Sequence, residues 1–268
     1  MALGLTLVYG ILHIPNFAHG ALYMMGGYIT LSAMTYLGFH YVLAIFISLL
    51  VVGILSVLME RLVFHPLRES PPIQHKVAAI GMLLFLEAFA QMVWGADYLQ
   101  MSTPFEDVIN VIGLTVTLQR IIIVITAVTV MILLTLFLKK TFIGSSIIAM
   151  AQNREGASLV GINTNRVTML TFFIAGALAA IGSSLTAPIN LVFPSMGHLV
   201  ILKAFVIIIL GGMGSVPGAI LGGYILGFTE SIGATYISND YKDLIAFILL
   251  VIILTAKPQG IFSRGEQG

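Results

Sequence analysis

Apolar residues run along this chain in long continuous blocks, neither alternating as on a strand nor confined to one helical stripe. A helix crossing a bilayer needs about 20 mostly apolar residues, because each rises about 1.5 Å through a core about 30 Å thick. Residues 17–37, 41–64, 77–96, 121–138 and 167–187 meet that measure. Residues 204–229 carry no charge, and the run Gly211-Gly212-Met213-Gly214-Ser215-Val216-Pro217-Gly218 interrupts them. They read as two helices meeting at that break, the first beginning near Leu199. Residues 244–256 are short for a span but lie between Asp243 and Lys257, and thinning or snorkelling lets such a segment cross. The pattern predicts an all-α fold, a polytopic membrane helix bundle of about eight transmembrane helices, some broken by Gly and Pro. A transmembrane strand barrel would need alternation that these blocks lack.

Composition agrees and narrows the classes. Of 268 residues, 59% are hydrophobic and 9% charged, and the mean hydropathy is +1.06. A soluble domain carries about 25% charged residues to cover its surface. A net charge of +1 supplies no basic footprint for nucleic acid, and with no cysteine there is no disulfide or thiolate chemistry. Between the predicted spans, one set of loops holds Arg61, Arg68, Lys76, Lys139, Lys140, Arg154, Arg166, Lys257 and Arg264, whereas the opposite set holds Arg120 and Lys242. The positive-inside rule then makes the first set cytoplasmic, with the C-terminus on the same side. Asp97, Glu106 and Asp107 fall in the longest external loop, and Asp240 and Asp243 in a short one. No cleavable signal pattern precedes the first block, and residues 1–268 read as one transmembrane domain. Gly20-Ala21 with Gly26-Gly27-Tyr28-Ile29 resembles Gly218-Ala219 with Gly222-Gly223-Tyr224-Ile225, each after a proline-containing break; this is either an internal repeat or a coincidence of Gly-rich helices.

Catalytic patterns are lacking. There is no His-Glu-x-x-His, the six histidines are scattered, and no Gly-Lys pair exists to form a P-loop. Ser183-Ser184 has no obvious partner base and reads as small residues for helix packing. Inside the spans we count three ionisable groups: Glu87, Lys203 and Glu230. Such charges are expensive in lipid, so they face a cavity or one another. A Lys203–Glu230 pair is the structural reading and an ion relay the functional one.

The connection 139–166 is far longer than a helix–helix turn requires. Ile147, Met150 and Ala151, then Leu159 and Ile162, give short amphipathic stretches around Gln152-Asn153-Arg154-Glu155. Gly161 supplies a helix stop, and Asn163 can cap the following turn. A helix of this kind either docks into a groove on a soluble partner or lies flat on the membrane. Glu155-Gly156-Ala157-x-x-x-Gly161 resembles the Glu-Ala-Ala-x-x-x-Gly signature of bacterial ABC-importer permeases, with Gly156 in place of the first alanine. Asn153, Ala157-Ser158-Leu159, Gly161-Ile162-Asn163 and Arg166 resemble the corresponding loop of the branched-chain amino acid permease family. Asn16-Phe17-Ala18-His19-Gly20, the run from Gly211 to Ala219, and Tyr241-Lys242-Asp243 agree with the same family, in the type of the first of its two paired permease subunits.

The resemblance implies one permease subunit of an ATP-driven importer for branched-chain or other hydrophobic amino acids, in a prokaryotic plasma (inner) membrane. Its partners would be a second permease subunit, two cytoplasmic ATPase subunits and an external substrate-binding protein. ATP and Mg would be used by those partners, with no cofactor on this chain. Asn153, Arg154, Glu155, Ala157 and Gly161 would couple it to the ATPases. A permease for urea or short-chain amides, or a stand-alone secondary transporter, are the alternatives. Family members carry a full helix before Asn16, so the short segment ahead of Pro15 is read as a truncated first helix.

Two helix breaks are candidates for the translocation path. Pro15 cannot donate a backbone hydrogen bond and disfavours helix at Ile14. Asn16 and His19 add polar groups on one helix face, suited to a zwitterion that has lost its water; alternatively, Asn16 caps the helix and His19 bonds a carbonyl. Gly214, Ser215 and Pro217 form the second break, either lining the path or serving packing alone.

Overall fold

A computed structural model describes all residues except 104, 106, 112–113, 237, 239–241, 258–259 and 261–268. Glu106, Asp240, Tyr241 and Arg264, used above in the loop charges and the family motif, lie outside the described residues. In chain order the helices are α1 (Ala2–Leu12), α2 (Ala18–Thr35), α3 (Tyr41–Met59), α4 (Pro72–Trp94), α5 (Leu118–Lys140), α6 (Phe142–Gln152), α7 (Arg154–Leu159), α8 (Thr164–Thr186), α9 (Met196–Gly211), α10 (Val216–Tyr236) and α11 (Lys242–Ala256). A π-helical turn, Glu60–Phe64, extends α3, and a hairpin of β1 (Val108–Val111) and β2 (Leu114–Thr117) precedes α5. The eight predicted apolar runs are all helical.

Four helices are long and apolar enough to span alone: Tyr41–Phe64, Pro72–Trp94, Leu118–Lys140 and Thr164–Thr186. α9 and α10 qualify together as a pair bent by 116°. The expected count of about eight also included α2 and α11, which fall below that measure for different reasons. α11 has 15 residues. α2 has 18 but spends many on Gly, Thr and His. It can do so because it runs through the middle of the bundle, where 13 of those 18 residues are buried. Lipid sets the hydropathy of outer helices, and protein sets that of a central one. α5 is the opposite case, only 11% buried over its most apolar stretch and packed chiefly on α6 and β2.

Small residues bring the central helices within backbone contact. A Cβ at Gly26 would stand 2.7 Å from the Ala180 Cα, and one at Gly20 would stand 2.6 Å from the Gly197 carbonyl oxygen. α3 and α8 interlock likewise, with Phe173 filling the space over Gly53 and Ser56 that over Gly176. Without a hydrophobic force between helices in lipid, such close approach supplies the packing energy. Above this zone a buried polar network ties four helices. Ser48 Oγ and Thr30 Oγ1 both donate to the Gly26 carbonyl (2.9 and 2.8 Å), and Thr30 also bonds Ser184 Oγ at 2.6 Å. Tyr41 Oη donates to the Ser184 carbonyl, and Gln119 Nε2 donates to Tyr41 Oη and the Leu185 carbonyl, each at 2.9 Å. Ser184 thus bonds within a helix interface, its hydroxyl to Thr30 and its carbonyl to Tyr41. The two halves of the internal similarity differ in setting: Tyr28 is buried and stacked on Trp94, while Tyr224 is exposed.

Replacing Gly197 by Val forces α2 and α9 apart and should cost about 1–3 kcal/mol, as overpacking does. Thermal melting in detergent reads this as a lowered midpoint. Gly81→Val is the control, because nothing lies within 4 Å of a Cβ there and its midpoint should stay unchanged.

Candidate functional site

The connection 139–166 folds into two helices set at an angle and held by three side-chain caps. Thr141 Oγ1 accepts from the Gly144 N–H at 3.0 Å and starts α6. Asn153 ends α6 and starts α7, its Oδ1 accepting from the Gly156 N–H at 2.8 Å. Asn163 Oδ1 accepts from the Arg166 N–H at 3.0 Å and starts α8. Each cap satisfies an N–H that the first helical turn leaves without a partner. Between α7 and α8 the chain turns at Gly161, whose φ of 86° suits glycine. Ile147, Met150 and Ala157 are buried with Leu138 and Val167, so both helices are seated on the ends of α5 and α8. Of the predicted coupling residues, Ala157 is therefore a packing residue, Asn153 a cap, and Glu155 exposed. Beside the exposed polar residues Gln152, Glu155 and Ser158, two apolar ones project at the end of α7: Leu159 and Val160 are 87% and 78% exposed.

Arg154 is half-buried beside a charge cluster. Partial burial and the neighbouring Arg68 push its guanidinium below its ordinary pKa, while Glu60 acts in the opposite sense. Glu60 lies in the π turn and is 1% exposed; its Oε1 pairs with Arg68 Nη2, and Arg68 Nη1 donates to Asn165 Oδ1. The sequence reading passed over Glu60, although an acidic residue beside an arginine at the end of an apolar run was the available signal.

At the first break, α1 ends in His13, which has a positive φ of 54°, and α2 begins after Phe17. Asn16 is buried and its Oδ1 accepts from the Ala18 N–H at 3.1 Å, an Asx-type turn that leads into α2. His19 is fully buried against Gly4 and close to the Met1 backbone. Pro15 is half-buried beside them. At the second break, Gly212 and Gly214 both have positive φ, and Ser215 Oγ accepts from the Gly218 N–H at 3.1 Å, which caps α10. Gly214, Ser215 and Pro217 line a cavity of about 660 Å³ with Lys139 and Ile148. A neighbouring cavity of about 270 Å³ holds Gly214 together with Tyr9, Gly10 and His13 of the α1 end and Ala151 and Gln152 of α6. The second break and the connection 139–166 therefore share walls. Pro15, Asn16 and His19 line neither cavity.

The intramembrane charges converge on α9. Lys203 Nζ stands 3.0 Å from Glu230 Oε1 on α10, and His198 Nε2 stands 2.8 Å from Glu87 Oε2 on α4. A third cavity, of about 480 Å³ between α5 and α8–α10, is largely apolar and includes Lys203 in its wall. Among the described residues no group of His, Cys, Asp or Glu is arranged to hold a metal ion.

These features define a multi-pass helical membrane protein that presents a rigid two-helix element beyond its bundle. Residues 1–254 match the family described as branched-chain amino acid transport system / permease component, and the chain belongs to that family. It is 35% identical, over 99% of its own length and 91% of the relative's, to the high-affinity branched-chain amino acid transport system permease protein LivH of Escherichia coli. Identity is 36% over the same shares to permease protein BraD of Pseudomonas aeruginosa. A probable LivH of Methanocaldococcus jannaschii is 28% identical over 97% of this chain and 87% of its own. These relatives are membrane components of transport systems, not enzymes. No solved structure matches the chain.

Asn16→Ala removes the buried side-chain bond to the Ala18 N–H at the start of α2 and should cost about 1 kcal/mol. The expected readout is a lowered melting midpoint in detergent, and an unchanged midpoint would separate Asn16 from the stability of that turn.

Proposed function

We propose that this chain is a permease subunit of an ATP-driven importer that carries branched-chain amino acids inward across a prokaryotic plasma membrane. The observation that carries the reading is the α6–α7 element: capped at both helix starts, seated on the bundle through Ala157, and exposing Leu159 and Val160. An apolar tip on a rigid base suits a helix that fits a groove on a soluble partner. A helix lying on the membrane would instead need a continuous apolar face along its length. That partner is an ATPase subunit, because the chain carries no P-loop of its own. The names of the relatives support branched-chain amino acids over urea or short-chain amides, and a transport system over a stand-alone carrier. A second permease subunit, a second ATPase and an external binding protein complete the assembly.

The basic loops, including the connection 139–166, face the cytoplasm in this reading, and so does the C-terminus. Nucleotide-driven closure of the ATPases pushes on α7. Because α6 packs on α1 and α1 packs on α10, that push reaches the α9–α10 break, and the bundle alternates between outward- and inward-open arrangements.

Two outcomes test this. Leu159→Asp replaces the exposed tip without touching a buried contact, so the protein should still insert while ATPase co-purification and uptake both drop by at least about tenfold, the usual loss when an apolar hot spot is removed. Retained association and uptake would refute the docking role. In this cysteine-free chain, Met213→Cys beside the cavities should react with a water-soluble maleimide at a rate that changes when nucleotide is added to the complex. A rate indifferent to nucleotide would remove the α9–α10 break from the moving path.

A further inference from the structure

Two connections meet at the end of the bundle remote from α6–α7. α5 and α8 each have one end beside that element, at Lys140 and Thr164, and the other at Leu118 and Thr186. The segment leading out of α4 and the α8–α9 connection, 187–195, join these far ends. Residues 95–103 of the first run across the second as a strap. Leu99 and Val192 exchange both backbone hydrogen bonds, N–H to carbonyl, at 2.9 and 2.8 Å. The Tyr98 and Phe193 rings lie 4.8 Å apart, and Thr103 Oγ1 donates to the Pro188 carbonyl at 3.3 Å. Met101 is 2% exposed and Val192 is fully buried, both within the main apolar core. Val192 reaches the α2–α8 contact, since a Cβ on Gly27 would stand 3.6 Å from its Cγ1 and 2.9 Å from Ser183 Oγ.

Behind the strap, Trp94 fixes the end of α4 on α2. Its Nε1 donates to Ser32 Oγ at 2.7 Å, and its ring stacks on Tyr28. The next residue, Gly95, has a φ of 86° and open space around it, which makes a pivot beside a fixed point. A single bridged pair is little to break, because even a whole two-stranded hairpin is marginal in water. At the opposite end the molecule is hollow, with Gln152 lining the cavity of about 270 Å³ and Lys139 that of about 660 Å³.

We propose that residues 95–103 are a clasp, closed in this arrangement and released once in each transport cycle. Turning at Gly95 withdraws Leu99 and Met101 from the core, parts the Leu99–Val192 pair and uncovers the outer end of the α2–α8 contact. A bundle closed at one end and hollow at the other is one of the two arrangements that alternating access requires. The seam lies within one chain, so its opening does not need two permease subunits to part. The inference rests on the reading of the chain as an ATP-driven permease.

The test uses the complete complex in proteoliposomes, with partner permease, ATPases and binding protein, and leucine as the probe. ATP-dependent uptake by wild type decides the permease reading first, and without it the clasp falls too. Leu99→Cys combined with Val192→Cys then tests the clasp in a chain that has no cysteine of its own. Residues that exchange both backbone bonds stand about 5.5 Å apart at Cα, within the window of about 4.4–6.8 Å that a disulfide spans. Oxidation should form the bond, read by mass spectrometry of this chain. Uptake should then be at least about tenfold lower than in the same sample after reduction, since a locked arrangement stops the cycle. A linked chain that transports as fast as the reduced one overturns the proposal, and so does failure to link in the resting complex. Should the double variant not assemble, Met101→Cys carries the test. Its reaction with a water-soluble maleimide should be slow in the resting complex and faster once nucleotide and binding protein are added. A rate that those additions leave unchanged overturns the clasp equally.

Discussion

The architecture depends on close backbone approach around α2. A helix through the middle of a membrane bundle must be flanked on all sides, and α2 meets α8 and α9 where Gly20, Gly26 and Gly197 carry no Cβ to hold them apart. Its neighbours then bury 13 of its 18 residues. That enclosure is what permits Thr30 and His19 inside the bundle, because protein rather than lipid surrounds them. The outer helices need no such restraint. α3, α4 and α5 present Phe46, Leu84 and Val124 outward and satisfy lipid by composition alone.

The same constraint decides where the chain can leave helical geometry. Backbone groups freed at a break must find partners in protein or water. Asn16 satisfies the Ala18 N–H at the first break, and Ser215 the Gly218 N–H at the second. The second break opens onto cavities shared with α1 and α6, so this irregular backbone adjoins the connection 139–166. In a permease that moves between two arrangements, a bend flanked by empty volume is a place where helices can shift without first breaking a packed core.

Charge is distributed by the same economy. α9 carries both His198 and Lys203, and each is answered by a carboxylate on a different neighbour, α4 in one case and α10 in the other. These pairs brace α9 laterally. The Glu60 cluster differs because its carboxylate is almost fully buried and, through Arg68, reaches Asn165 at the start of α8.

Much of this was legible in the sequence. The blocks of apolar residues specify the helices, because a span's length and hydropathy answer to lipid and not to any particular neighbour; all eight expected runs are helical. The cap at Asn163 and the turn at Gly161 are local too, since each involves residues within three positions along the chain. The cap at Asn153 is equally local, although the sequence reading takes that residue only as a coupling residue. Membership in the permease family was readable for the same reason, its motifs being short and contiguous. Tertiary structure decided what depends on distance in space. Whether Ala157 packs or projects, and whether α2 faces lipid or protein, are set by helices far apart in sequence. The β1–β2 hairpin is short and weakly patterned, with a register set by pairing from Val108 with Thr117 onward, so no apolar block announces it. Hydropathy records each residue's preference for lipid, but it does not record which helix will stand in front of it.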